Sequence, residues 1–187
     1  LVRSRGLGDV YKRQIAGLRT SDGRRVIDGA LYRSATPQFV AAADARHFVE
    51  RTGLRQIVDL RLDYEAAAEG SGGFSATEVA ILNIPFAIRA PVAEGSAVAP
   101  MPGADPLVAT YLGYLGACDA FRALIDALLD RDGLPAMVHC TMGKDRTGVA
   151  VAMVLDSIGV LRRDICRNYA QRSEDIPAMM GLSLIHI

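Results

Sequence analysis

The sequence lacks most of the features that would place it in a disulfide-rich, metal-binding, nucleic-acid-binding or membrane class. Its three cysteines, Cys118, Cys140 and Cys166, show no paired spacing and no metal-ligand pattern. Neither a disulfide framework nor a metal site is expected, and nothing calls for a cofactor. No charge of one sign dominates, since 21 basic residues balance 21 acidic ones. Bulk charge therefore gives no support for nucleic acid as a partner. No apolar run approaches the roughly 20 residues of a membrane span, so no integral membrane segment is expected. There is no internal repeat, and the one compositionally simple stretch is 89–106.

The two ends are set aside. Ser4 to Gln14 reads SRGLGDVYKRQ, the translation of a transposase adapter used in sequencing-library preparation, and Leu182 to Ile187 reads LSLIHI, the translation of the reverse complement of that adapter's end. Residues 1–14 and 182–187 are therefore expected to be non-native, leaving a single domain over 15–181, a fragment truncated at both ends. Dropping Arg3, Arg5, Lys12 and Arg13 against Asp9 leaves 17 basic and 20 acidic residues, a net charge of −3. The remaining length suits one domain with a real core.

What the chain does have is concentrated in one stretch, Val138-His139-Cys140-Thr141-Met142-Gly143-Lys144-Asp145-Arg146-Thr147-Gly148. Apolar runs on both sides, Pro135 to Val138 and Val149 to Leu155, predict buried strand, tight loop and helix. Cys140 and Arg146 bracket five residues. A loop that short, closing on a helix N-terminus, turns backbone N–H groups inward. Those donors, the helix dipole and the Arg146 guanidinium make a socket for a tetrahedral dianion. The same field favours thiolate at Cys140, which is then a nucleophile near neutral pH. A reactive thiol suits a reducing compartment, and a cytoplasmic location is the expectation.

The string HCTMGKDRTG resembles the active-site loop of cysteine-dependent phosphatases of the protein-tyrosine-phosphatase superfamily. Its Gly-Lys-Asp-Arg-Thr form is similar to the bacterial and fungal branch that also acts on phosphoserine and phosphoinositides. Gly29-Ala30-Leu31-Tyr32-Arg33-Ser34 resembles the tail of that branch's N-terminal signature. Ile165 to Ser173 is similar to its Ile-x-x-Asp-Tyr-x-x-Ser element, with Asn168 in place of the aspartate. The resemblance implies a phosphoric monoester hydrolase whose substrate is a phosphorylated protein or a phosphoinositide, working through a phosphocysteine.

The rest of the chain predicts a three-layer α/β fold, a mostly parallel sheet flanked by helices. Strands are expected at 54–60, 78–86 and 135–139, with short extended pieces around Val26 and Leu31. Thr36-Pro37 predicts a helix start and Gly53 its end. Further helices are expected from Asp63 to near Gly70, from Asp105-Pro106, from near Asp119, from Arg146 to near Gly159, and from Arg162 to about Arg172. The helix after the loop is apolar nearly all round and should be the central buried one. The 89–106 stretch is long for a plain connection.

Cys140 is the expected nucleophile and Arg146 the fork for two phosphoryl oxygens. Thr141, Met142, Gly143, Lys144, Asp145 and Thr147 line the substrate socket. Lys144 favours a polyanion, while Thr147 either hydrogen-bonds the sulfur or caps the helix. His139 is expected to orient the loop. Arg33 is read either as an anion-binding side chain or as a surface arginine paired with a carboxylate. Tyr111 and Tyr114 read as core or boundary residues, and His47 as a surface one. A tyrosine oxyanion leaves poorly without a proton, so a general acid is required. The 89–106 loop offers only Glu94 and Asp105. By resemblance to the branch, Asp59 of the Asp-Leu-Arg segment comes first, then Asp63, then Asp145, with a purely structural salt bridge as the alternative role for Asp59. Two other classes use related parts. A sulfurtransferase has a shorter cysteine loop without the paired Arg-Thr, and a non-catalytic phosphate-binding module is expected to have lost the cysteine.

Overall fold

Short runs of β-branched and apolar residues bounded by turns set the sheet. In the computed structural model, residues 12–87 and 105–170 are described. Five strands, β1 (Lys12–Gln14), β2 (Leu31–Ser34), β3 (Gln56–Asp59), β4 (Ala80–Asn83) and β5 (Ala136–His139), form one sheet in the order β1-β2-β5-β3-β4. β1 pairs antiparallel with β2, and the other neighbours are parallel. The strands expected at 54–60, 78–86 and 135–139 are present in shorter form. β1 falls in the segment set aside above. Main-chain pairing makes little demand on side-chain identity, so its presence does not bear on the origin of that segment.

The register explains why both faces are covered. Tyr32, Met137 and Ile57 stand in one row across β2, β5 and β3. They pack with Ala45 and Phe48 of helix α1 (Ala42–Thr52) and Phe74 of a 3-10 turn (Gly72–Ala76). The neighbouring residues point to the opposite face, as the pleat requires. There Leu31, Ala136, Val138 and Val58 pack with Leu124 and Leu128 of α4 (Cys118–Leu129) and with Val149 to Leu155 of α5 (Asp145–Ser157). A third row, Ser34, His139 and Asp59, lies at the carboxyl ends of the parallel strands. That is where open α/β sheets place ligands.

α5 is the buried helix anticipated, with seven of its thirteen residues inaccessible. α3 (Pro106–Leu115) starts as expected, Asp105 accepting from the Leu107 N–H with proline at the first turn. α2 (Asp63–Glu69) and α6 (Arg162–Ala170) also stand where the pattern put them. One start is different. Thr36-Pro37 does not open α1, which begins at Ala42 with Ala41 as its cap. The Thr36 side chain is occupied elsewhere, accepting from Arg61 Nη1 at 3.1 Å, while its N–H donates to the Thr141 carbonyl at 2.9 Å. Gly53, with φ +64°, closes α1 as expected. The 89–106 loop, with Glu94, lies outside the described residues except for its last two positions. Among the described residues no helix is long and apolar enough to cross a membrane.

Candidate active site

β5 delivers His139 and Cys140 to the carboxyl edge of the sheet, and the chain then turns through 141–144 into α5. The turn needs a glycine. Gly143 has φ +63°, and a Cβ there would stand 2.3 Å from the Ser34 carbonyl oxygen. The loop is thus pressed directly onto the end of β2. A second close approach fixes the helix. A Cβ on Gly148 would meet the Tyr169 ring at 2.4 Å, so α6 lies against the first turn of α5.

Cys140 is buried, with 2% of its surface exposed. Arg146, on the first turn of α5, is half-buried and held by a residue the sequence reading did not single out. Arg146 Nη1 donates to Glu65 Oε2 at 2.5 Å and Nη2 donates to Oε1 at 2.9 Å. Nη2 also approaches the Thr141 hydroxyl at 3.3 Å. Glu65 lies on α2, where its Oε2 accepts from the Leu62 N–H at 2.7 Å. The bonds from Arg146 hold the Glu65 carboxyl down at about 2. In return, although burial opposes it, the carboxylate and the charge of Cys140 raise the Arg146 guanidinium above its ordinary value. With Leu62 at the cap position the sequence carries no capping signature, and the reach of Glu65 to Arg146 spans 81 positions and is not readable locally.

Asp59 does not fit the role of proton donor first assigned to it. It is buried, with 2% exposure, and enclosed by Arg61. Arg61 Nε donates to both its oxygens at 2.9 and 3.0 Å, Nη2 to Oδ2 at 2.6 Å, and the Arg61 N–H to Oδ1 at 2.9 Å. Burial alone would raise its carboxyl, but the Arg61 bonds and the nearby His139 outweigh that and lower it. A donor needs access to the leaving oxygen, and the enclosed Asp59 carboxylate has little. Arg61 also donates to Thr36, to Glu69 and to the Gly70 carbonyl. Through Thr36 and its N–H to Thr141, this buried pair supports the loop from below.

His139 is fully buried. Its Nδ1 lies 3.2 Å from the Cys140 carbonyl, which can only accept, so Nδ1 carries the proton. Nε2 stands 3.8 Å from Asp59 Oδ1, without a hydrogen-bond partner among the described residues. Burial pulls its pKa down to about 4, although Asp59 pulls the other way. The ring is therefore a neutral prop for the loop.

Arg33 is not at the surface. It is 2% exposed, and Nη2 donates to the Gly143 carbonyl at 3.1 Å while Nη1 reaches Asn168 Oδ1 at 3.4 Å. Asn168, where the related pattern has aspartate, contacts this arginine as a neutral acceptor. Thr147 is fully buried on the third residue of α5, so it is not the helix cap; Lys144 is.

The remaining loop residues form the rim. Met142, Lys144 and Asp145 are partly exposed, and Lys144 Nζ lies 3.6 Å from Asp145 Oδ1. Tyr111 of α3 donates its hydroxyl to Asp145 and accepts from the Tyr169 hydroxyl at 2.9 Å. Burial and the bond to Asp145 raise the Tyr111 phenol well above its usual range. Tyr111 and Tyr114 do pack on the core as expected. Tyr111 in addition fixes a loop carboxylate. Asp63, at the start of α2, is exposed, and His47 is at the surface as anticipated.

Several known proteins are similar to this chain. A Cupriavidus necator protein named "Putative tyrosine-protein phosphatase" is 31% identical over 174 residues, covering 87% of this chain and 60% of that protein. The triple specificity protein phosphatase PtpB of Mycobacterium tuberculosis is 40% identical over 47 residues, covering 25% of this chain and 17% of that protein. The chain spans less than two thirds of the length of either relative. Among solved structures, the core catalytic domain of the PP-IP phosphatase SIW14 from S. cerevisiae is 16% identical with a TM-score of 0.47, covering 76% of this chain and 70% of that one. The model described as the tyrosine phosphatase family matches residues 12–180, and the chain belongs to that family.

Proposed function

We propose that this chain is a cysteine-dependent phosphatase that hydrolyses phosphotyrosine and, through the same socket, phosphoserine, phosphothreonine or phosphoinositide monoesters. One observation carries the reading: Cys140 at a strand end and Arg146 on the helix that follows face a common loop, whose shape is enforced by Gly143 against Ser34. Cys140 attacks phosphorus as the thiolate, forming an S–P bond while the P–O bond to the leaving group breaks. Arg146 and the loop N–H groups take up the charge on the equatorial oxygens. Thr141, Met142 and Gly143 surround the phosphoryl group, and the Thr147 hydroxyl assists departure of the sulfur.

The leaving oxygen needs a proton, and we assign that proton to Asp145 rather than to Asp59. Asp145 sits at the rim, partly exposed and oriented by Tyr111. In the second step water attacks phosphorus, Asp145 takes its proton, and the S–P bond breaks to release phosphate and restore the thiolate. Lys144, beside Asp145 at the rim, suits a substrate with a second anionic group. The 47-residue likeness to a phosphatase named for triple specificity supports a broad substrate range.

The test is turnover of p-nitrophenyl phosphate, phosphotyrosine peptides and phosphoinositides by the wild type and by Cys140→Ser. The wild type should release phosphate, and Cys140→Ser should retain substrate binding with no turnover. Substantial hydrolysis by Cys140→Ser overturns the phosphocysteine route. Arg146→Lys should also be severely impaired, because a point charge cannot replace the fork.

A further inference from the structure

Glu65 stands outside the loop, yet it makes the most specific contact that Arg146 has. Its two oxygens take Nη1 and Nη2, the end-on edge of the guanidinium. A guanidinium has another edge able to receive two oxygens, the one that includes Nε. The two edges are used for different purposes if the end is held by protein and the side faces a phosphoryl group. The carboxylate is itself immobilised. Oε2 also accepts from the Leu62 N–H at 2.7 Å, and Oε1 lies 3.4 Å from the Thr141 hydroxyl. A carboxylate tied to its own helix N-terminus stays in place when a substrate arrives.

We propose that Glu65 is a positioning residue for the reaction: it holds Arg146 by its end so that the Nε edge faces the phosphoryl group, and it couples the α2 N-terminus to the phosphate socket. This rests on the phosphatase reading above. A free arginine samples many rotamers, and ordering it only when substrate binds would weaken both binding and turnover. Glu65 makes that ordering part of folding. The arrangement also explains why α2 starts where it does. The carboxylate that accepts from the Leu62 N–H at the start of the helix also clamps Arg146.

The decisive measurement compares Glu65→Gln with wild type in kcat and KM for p-nitrophenyl phosphate and in the affinity for inorganic phosphate by calorimetry. Glutamine keeps an oxygen for the Leu62 N–H but loses the charged bidentate clamp. We expect kcat/KM to fall about 10- to 100-fold and phosphate binding to weaken, with the melting temperature lowered by loss of the ion pair. Placed on Arg146→Lys, the same change should add little, because the residue it acts through is already altered. An undiminished Glu65→Gln enzyme, or an equal loss on both backgrounds, overturns the proposal. If Glu65→Gln does not fold, Glu65→Asp, which keeps the charge but withdraws it by one methylene, replaces it with the same expectations. If the wild type binds phosphate but turns over no phosphoester, the phosphatase reading fails, and weaker phosphate binding by Glu65→Gln still upholds the positioning role. A wild type that binds no phosphate overturns both.

Discussion

Asp59 and Arg61, two residues apart, close on one another in the interior: all four contacts between them lie within 3.0 Å, and the two side chains are at most 3% exposed. The short spacing is what makes the pair possible. β3 ends at Asp59, the chain bends, and the Arg61 side chain folds back under its own backbone. Asn83 from β4 donates to the Asp59 and Arg61 carbonyls at 3.0 and 2.9 Å, fixing that bend.

Removing one member of such a pair strands the other charge. Asp59→Asn should therefore destabilise the fold by about 3–5 kcal/mol, read as a lower denaturation midpoint. Any loss of activity should be alike for phosphotyrosine and for an activated aryl phosphate. A leaving-group-dependent loss with unchanged stability would restore Asp59 as the proton donor.

Asp145→Asn should behave in the opposite way. Loss of a general acid typically slows the step about 10²–10⁴-fold. That loss should appear with phosphotyrosine and shrink with a leaving group that needs no proton. The high-pH limb of the kcat profile should also flatten, since that limb reports loss of the donor's proton. Equal losses on all leaving groups would instead mark Asp145 as an orienting group for Arg146 or Lys144.

How much of this was legible beforehand depended on the range of the interactions. The Cys140–Arg146 loop, the buried helix after it and the Gly53 stop are local patterns, and each stands where the sequence put it. Thr36-Pro37 carried an equally good local cap signal and misled, because Arg61 claims the hydroxyl. Glu65 was invisible as a functional residue, since its partner lies 81 positions away. Asp59 was chosen through resemblance; a structural salt bridge was legible as its alternative role, but its partner Arg61 was not. Arg33 illustrates the same limit: nothing in Tyr32-Arg33-Ser34 says that its guanidinium ends behind Gly143.

Gly143→Ala should damage the site with only modest effect on the fold. The residue would be held at φ +63°, a strained conformation for alanine, and its Cβ would collide with the Ser34 carbonyl. The collision is with backbone, so the loop itself must move. The strain is worth about 1–3 kcal/mol, and displacement of the loop by the order of 1 Å should reduce kcat/KM about 10²-fold. An alanine variant with full activity would show that the loop tolerates a different path.

The last prediction concerns pH and the buried ring of His139. An ordinary histidine titrates near 6.5, and burial brings this one down to about 4. Between those values the unfolded chain binds a proton at this position and the folded chain does not. Stability should therefore fall as pH drops from 6.5 toward 4, by an amount on the order of 3 kcal/mol over the full window. The carboxylates act elsewhere on the scale. Glu65, held at about 2, and Asp59, lowered by Arg61, lend stability that is complete about one unit above their unfolded values and is lost below about 5.5. The interval between about 5.5 and 6.5 thus isolates His139. Denaturant midpoints measured across it should slope for the wild type. They should be flat for His139→Asn, whose amide can still donate to the Cys140 carbonyl but carries no titrating proton. A slope that persists in His139→Asn would assign the effect to another group.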